Sequence, residues 1–270
     1  MATPRHAHVV AVAEVGRDTR HLTLQMDGGE PLGFFGGQYV IVDSGLLLPN
    51  GKACKRAYSI ISGDDEQRTF ELLVMRLPAG PGSTYMHGLG IGAPITFSGP
   101  WGKMGPPFQP DEGGTRGGAS FILATDTGLT SMLGLVRARR FRPLLPAATF
   151  IWLRTTPDYF VPQLFVEQRL PAGLGEARFG WLPPIGHPER VPLSRALLAE
   201  AWARAPLARG YVAGDGAINY ALLDDLVAGG VAATREHVES FFNMPKKTDA
   251  AAPSSSVPPP AGDPPRRQVL

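Results

Sequence analysis

Two domains are predicted: an antiparallel six-stranded Greek-key β-barrel, followed by an α/β unit with a Rossmann-like parallel sheet. Three observations carry that prediction. Up to Gly99, short alternating or apolar runs recur with turn signals between them, as in a small closed barrel. Residues Pro106 to Gly118 then hold Pro106-Pro107, Gly113-Gly114 and Gly117-Gly118, a composition shift that marks a boundary. Beyond it, strand-like runs alternate with helical stretches of roughly 10–15 residues, the pattern of a parallel sheet with crossover helices.

In chain order, His8 to Val15 and Arg20 to Met26 read as the first two strands, with Asp27-Gly28-Gly29 as the turn after them. Gly36-Gly37 reads as a bulge or tight bend ahead of the strand Tyr39 to Asp43. Arg56 to Ile61 alternates, Ser62-Gly63-Asp64-Asp65 turns, and Thr69 to Leu77 is the next strand. Pro81 to His87 reads as a cap and a turn or two of helix, and Pro94 to Gly99 completes the six strands. In the second half, strands at Ala119–Ala124, Ala148–Leu153, Ala177–Leu182, Gly210–Ala213 and His237–Phe242 interleave with helices at Gly128–Arg140, Pro157–Arg169, Leu193–Ala203 and Ala217–Ala228. The chain thus divides into 1–107, a linker 108–118, a second domain 119–245 and a tail 246–270. The tail, rich in Ala, Pro and Ser, cannot bury a core and is expected to be disordered.

With 270 residues, 43% of them apolar, the chain can build the cores of two such domains. A net charge of +2 points to no nucleic-acid or membrane partner. No apolar run approaches the about 18 residues that span a bilayer, and Met1 to His8 lack the charged-then-apolar order of a leader, so a cytoplasmic protein is expected. Cys54 is the only cysteine, which excludes a disulfide framework and a four-thiolate iron–sulfur cluster held by this chain alone. The six histidines show no metal-ligand spacing.

The chemistry-bearing stretch is Arg56-Ala57-Tyr58-Ser59, followed by Gly82-Ser83-Thr84 at a helix start. An aromatic can stack on a planar ring, a hydroxyl can reach a ring nitrogen, and a guanidinium can fork onto phosphate. Backbone N–H groups at a helix start take further negative charge. That is the outline of a flavin site. Alone, the tetrapeptide reads equally as a half-buried tyrosine beside a surface arginine.

Other motifs stand in order around it: Phe34-Phe35-Gly36-Gly37-Gln38-Tyr39-Val40 before it, then Phe70 to Arg76 and Gly99-Pro100-Trp101-Gly102-Lys103-Met104. The series resembles the flavin domain of the ferredoxin–NADP reductase family, whose pattern runs PGQ-Y, R-x-Y-S, a V-K/R strand, G-x-x-S and GP-x-G-x-F. The resemblance spans about residues 8 to 243. It implies that Tyr58 and Ser59 lie nearest the chemistry, that Arg56, Gly82, Ser83 and Thr84 hold phosphate, and that Ala57, Val74, Met75 and Arg76 border the flavin. FAD is the implied cofactor, with FMN left open.

In the second half, Thr125-Asp126-Thr127-Gly128-Leu129-Thr130-Ser131 sits where the family has its Thr-Gly-Thr-Gly-Ile-Ala-Pro turn, so Thr125, Thr127 and Gly128 are implied to meet a pyrophosphate. Asp126 replaces a glycine there. Pointing inward, a carboxylate about 4 Å from phosphate costs about 1 kcal/mol in water and about 4 at an effective dielectric of 20; pointing outward, it costs little. Arg154 and Thr155 resemble the family's adenosine-end segment, where the arginine can meet a 2′-phosphate; a strand-end surface arginine is the other reading. Gly214 and Asp215 fall in the family's Y-V-C-G-P turn, with Ala213 for the cysteine and Asp215 for the proline.

Val238-Glu239-Ser240-Phe241-Phe242-Asn243 resembles the ending V/I-x-x-E-x-F/Y, in which an aromatic covers the flavin; in a regular strand only one of Phe241 and Phe242 can do so. The resemblance implies an oxidoreductase that moves hydride from NADPH or NADH to FAD and passes electrons to a ferredoxin or an oxygenase component, with Lys52, Lys55 and Arg56 as a basic rim for an acidic partner. The alternative is a flavin-carrying subunit of a larger complex whose nucleotide site is degenerate. Arg137, Arg139, Arg140 and Arg142 read as a solvated helix end.

Overall fold

The computed structural model describes residues 3–106, 118–231, 233 and 237–244. Apart from Gly118, the expected linker 108–118 and the whole of the tail 246–270 lie outside the described residues.

The first sheet is formed by β1 (Arg5–Gly16), β2 (Thr19–Met26), β3 (Tyr39–Leu47), β4 (Ala53–Ser59), β5 (Thr69–Met75) and β6 (Pro94–Trp101), in the order β4-β3-β6-β1-β2-β5. Its long pairings are antiparallel. The ends of that order meet. Ile60 bridges Leu72, and the Ile61 N–H donates to the Glu71 carbonyl at 2.9 Å, which closes the six strands into a barrel. Alternation places Leu22, Leu24, Val40, Phe70, Leu72 and Phe97 inside. A short helix, α1 (Pro81–Gly88), follows β5.

The second sheet is parallel, in the order β11-β10-β7-β8-β9, from β7 (Ala119–Thr125), β8 (Ala148–Arg154), β9 (Glu176–Trp181), β10 (Leu207–Asp215) and β11 (Val238–Phe242). β7 and β8 are buried along nearly their whole length because α2 (Leu129–Val136) covers one face and α4 (Arg190–Arg204) and α5 (Gly216–Ala228) the other. No helix among the described residues is long and apolar enough to cross a membrane.

Two predicted helices are much shorter than expected. The stretch 128–140 is helical only to Val136; a run of tighter turns over Arg139–Ala147 follows, which holds Pro143 and Pro146. The stretch 157–169 retains only α3 (Gln163–Glu167), because Pro162 disfavours helical backbone before it and Phe160 has φ 69°. The four arginines after α2 are not a solvated helix end. The Arg137 guanidinium donates to the Ile61 carbonyl at 3.0 Å, the Arg139 N–H to Asp64 at 2.8 Å and the Arg140 guanidinium to the Met104 carbonyl at 2.6 Å, while Arg142 pairs with Asp65. They clamp the second domain onto the barrel. Gly36 has a related role: a Cβ on it would lie 2.1 Å from the Gly134 carbonyl of α2, so its missing side chain sets how closely the two domains approach.

Candidate functional site between the two domains

A cleft of about 890 Å³ runs between barrel and parallel sheet, within the size range of cofactor sites. On its barrel wall, β4 and α1 face each other. Arg56 is exposed, Tyr58 half-buried and Ser59 buried, and all three line the cleft with Ala57. Gly82 stands against them: a Cβ there would lie 2.6 Å from Arg56 Cγ and 3.6 Å from the Tyr58 hydroxyl. Only a glycine lets α1 begin this close to the strand. Pro81 has no N–H, so Gly82 and Ser83 carry the first amides of the helix. The Ser83 hydroxyl is committed within its own loop, accepting from the Leu77 N–H and donating to the Gly80 carbonyl, both at 3.0 Å. Val74 and Met75 also line the cleft. Thr84 and Arg76 are exposed and lie outside its lining. Burial pushes the Tyr58 phenol up to about 12, so it stays a neutral donor across physiological pH.

The opposite wall comes from Thr127, Thr130, Tyr159 and β11. Both Phe241 and Phe242 line the cleft, contrary to regular strand alternation. The pairing of β11 with β10 shifts register between Ser240 and Phe242, and this irregularity breaks the alternation. Between the walls runs a hydrogen-bonded chain. Ser59 Oγ lies 3.1 Å from Ser131 Oγ, and Ser131 donates to Glu239 Oε2. Desolvation pushes the Glu239 carboxyl up to about 7, against the hydrogen bond from Ser131, which lowers it. Glu239 is absent from the residues expected to form the site, although it stands inside the Val238-to-Asn243 motif that identified the two phenylalanines.

Thr125, Gly128, Arg154, Thr155, Gly214 and Asp215 do not line this cleft. They gather at the carboxyl ends of β7, β8 and β10. Thr125 Oγ1 accepts from the Asp215 N–H at 2.8 Å; a Cβ on Gly128 would lie 2.2 Å from the Ala213 carbonyl, and one on Gly214 would lie 2.1 Å from that of Thr125. Asp126 points inward, yet it faces no open phosphate site. Its backbone has φ 51°, a left-handed conformation that Asp tolerates better than most residues where a glycine would sit freely.

The Asp126 carboxylate accepts from the Thr155 N–H at 2.9 Å, the Thr155 hydroxyl at 2.7 Å and the Arg190 guanidinium at 2.6 Å. The same guanidinium donates to Asp215 at 2.8 Å. Asp215 in turn caps α5 by accepting from the Ala217 N–H at 3.0 Å, and it accepts from Asn243 at 2.8 Å. Arg190 was invisible to motif reading because it belongs to α4, remote in sequence from both acids. The two acidic substitutions in the family pattern, Asp126 and Asp215, are thus bound together by one buried cation.

Residues 6–105 match the family model described as an oxidoreductase FAD-binding domain. Over the barrel the chain is thus similar to the FAD-binding domains of oxidoreductases. It is 37% identical over 137 residues to ferredoxin–NADP reductase B of Sorangium cellulosum, covering 51% of this chain and 52% of that one. It is 36% identical over 133 residues to the reductase subunit of an aromatic O-demethylase from Amycolatopsis, covering 48% and 37%. The chain therefore spans about half or less of the length of these curated relatives. Among solved structures, a cytochrome P450 reductase from Amycolatopsis superposes with a TM-score of 0.62 at 22% identity, covering 91% of this chain and 72% of that one. A ferredoxin reductase of carbazole 1,9a-dioxygenase does so with 0.65 at 19%, covering 89% and 70%. At these identities the structures establish the two-domain fold that the sequence predicts.

A flavin fits the barrel wall as built. A cradle that a Cβ on Gly82 would fill lies beside an exposed guanidinium, a half-buried phenol and the first amides of a helix, the donor set that a phosphorylated planar ring requires.

Proposed function

We propose that this chain is a FAD-dependent oxidoreductase that takes reducing equivalents from NADH or NADPH and passes electrons to a separate acceptor protein, such as a ferredoxin or an oxygenase component. As a consumer of the reduced nucleotide pool it would work in the cytoplasm. The observation that carries the reading is the Ser59–Ser131–Glu239 chain, which joins the flavin-type motif on β4 to the nucleotide-type turn and to β11 across a single cleft. Arg56 and the amides of Gly82 and Ser83 would hold the flavin phosphate, with Tyr58 and Ser59 at its ring. The flavin, when bound, supplies the conversion between a two-electron donor and one-electron acceptors.

The protein's own contribution is placement and proton supply. Glu239 holds a proton near neutral pH, and the two serine hydroxyls connect Glu239 Oε2 to Ser59 Oγ at the cleft. Phe241 and Phe242 line the cleft from β11, so a nicotinamide ring that enters must displace one of them. The reading of a degenerate nucleotide site loses support, because Asp126 and Asp215 are both bound to Arg190 rather than aimed at an incoming phosphate. Of the basic rim, Lys55 is paired with Asp43 at 3.1 Å and Lys52 is exposed.

The test is purification followed by visible spectroscopy and steady-state assay. The reading expects a chain that retains or rebinds FAD and reduces a one-electron acceptor such as ferricyanide at the expense of NADH or NADPH. A chain that binds no flavin under any loading condition would refute it.

A further inference from the structure

We propose that the adenosine end of the nucleotide site is built for the unphosphorylated ribose, so that this chain uses NADH and discriminates against NADPH; the inference rests on the reductase reading above. In a parallel α/β sheet the adenosine ribose lies beyond the end of the second strand. There an arginine accommodates a 2′-phosphate, and a carboxylate suits the free 2′-hydroxyl. That strand is β8, and it ends at Arg154.

Arg154 is already committed. Only 4% of it is exposed, and its guanidinium carbon lies 4.6 Å from the ring centroid of Trp152 and 4.4 Å from that of Trp181. Its two terminal nitrogens donate to the Pro157 carbonyl at 3.1 Å and to Gln163 Oε1 at 3.2 Å. A guanidinium buried against two indoles, with both terminal nitrogens in use and only its buried Nε unpaired, presents no pair of donors to a phosphate. The segments that follow β8 and β9, residues 155–163 and 182–190, carry two other cationic or titratable bases. Arg190 is 2% exposed and bound to Asp126 and Asp215. His187 accepts the Glu189 N–H at its Nδ1.

The negative charges, by contrast, are open or in excess. Asp158 is exposed, close enough to Arg154 to influence it electrostatically, and Arg190 leaves its two acids with one net negative charge. A 2′-phosphate entering here meets an exposed carboxylate and no available guanidinium. A ribose hydroxyl brings no charge and can donate to Asp158.

Calorimetric titration of the flavin-loaded protein with ADP-ribose and with 2′-phospho-ADP-ribose tests this without any turnover. The expected result is at least tenfold tighter binding of ADP-ribose, about 1.4 kcal/mol. Replacing the exposed acid, Asp158→Arg, is expected to strengthen binding of the 2′-phosphorylated ligand and narrow the ratio. Arg154→Met is expected to affect both ligands alike. Equal affinities in the unmodified protein, tighter binding of 2′-phospho-ADP-ribose, or a selective loss of that ligand in Arg154→Met would each overturn the inference while leaving the reductase reading in place. Failure of both ligands to bind would overturn the nucleotide side of that reading as well.

Discussion

On the barrel side of the cleft Arg56 is exposed and Tyr58 half-buried, so the side chains that would touch a cofactor do so directly. On the α/β side Asp126 and Asp215 are fully buried and Arg190 is 2% exposed; these charges touch one another and shape the turns that face the cleft. On the proposed reading the first wall would supply ligands, whereas this buried charge network of the second would serve as a support. A ligand can be removed at the cost of its own bonds, whereas removing one member of a buried charge network strands the others in a medium that solvates them poorly.

The largest expected effect therefore lies away from the chemistry. Arg190→Met leaves two buried carboxylates without their cation and should destabilise the α/β domain by about 3–5 kcal/mol, read as an earlier denaturant transition. The triple change Asp126→Asn, Asp215→Asn, Arg190→Met should recover most of that loss, since no buried charge remains. If Arg190→Met unfolds like the unmodified protein, the distinction between the two walls fails.

Next in size is Glu239. Its carboxyl is raised from 4.5 to about 7, so the folded state binds this proton more tightly than the unfolded chain. The sign follows: the group favours folding fully below about pH 4.5, and that contribution is lost as pH rises through about 7, on the order of 3 kcal/mol at most. Glu239→Gln should be more stable than the unmodified protein at pH 8 and flatten this part of the profile. Denaturant midpoints at pH 5 and pH 8 decide the point, and an unchanged slope would mean that Glu239 ionises normally.

Smaller losses are expected on the barrel wall. Arg56→Leu removes a charge-assisted contact worth about 1.5–3 kcal/mol, so FAD should bind roughly 10- to 100-fold more weakly in a fluorescence titration while the unfolding transition stays in place. Ser59→Ala should cost about 0.5–1.5 kcal/mol of flavin affinity. It should also interrupt the path to Glu239, which would show as a shifted pH profile of flavin reduction.

The same contrast explains what could be read from the sequence. Arg56, Tyr58, Ser59 and Gly82 were legible because a strand and the next helix bring them together over a short span, and each residue type states its own chemistry. The eleven strands among the described residues sit close to where alternation and apolar runs place them. The helices 128–140 and 157–169 were overestimated, since local prolines and a left-handed Phe160 outweighed apolar spacing. Asp126 and Asp215 looked like defects because their partner is supplied by α4 through tertiary structure alone. Glu239 was overlooked beside two phenylalanines, as nothing local announces that its carboxyl will meet Ser131 from another strand's turn. The arginines after α2 were misread for a similar reason: their acidic and carbonyl partners belong to the barrel.

The central claim is that the two walls form one working site, and anaerobic rapid mixing of the FAD-loaded protein with NADH tests it most directly. The account predicts saturable bleaching of the flavin, with a pH dependence that Glu239→Gln alters. Reduction by dithionite but not by NADH or NADPH would contradict it, because the turns braced by Arg190 would then serve no nucleotide.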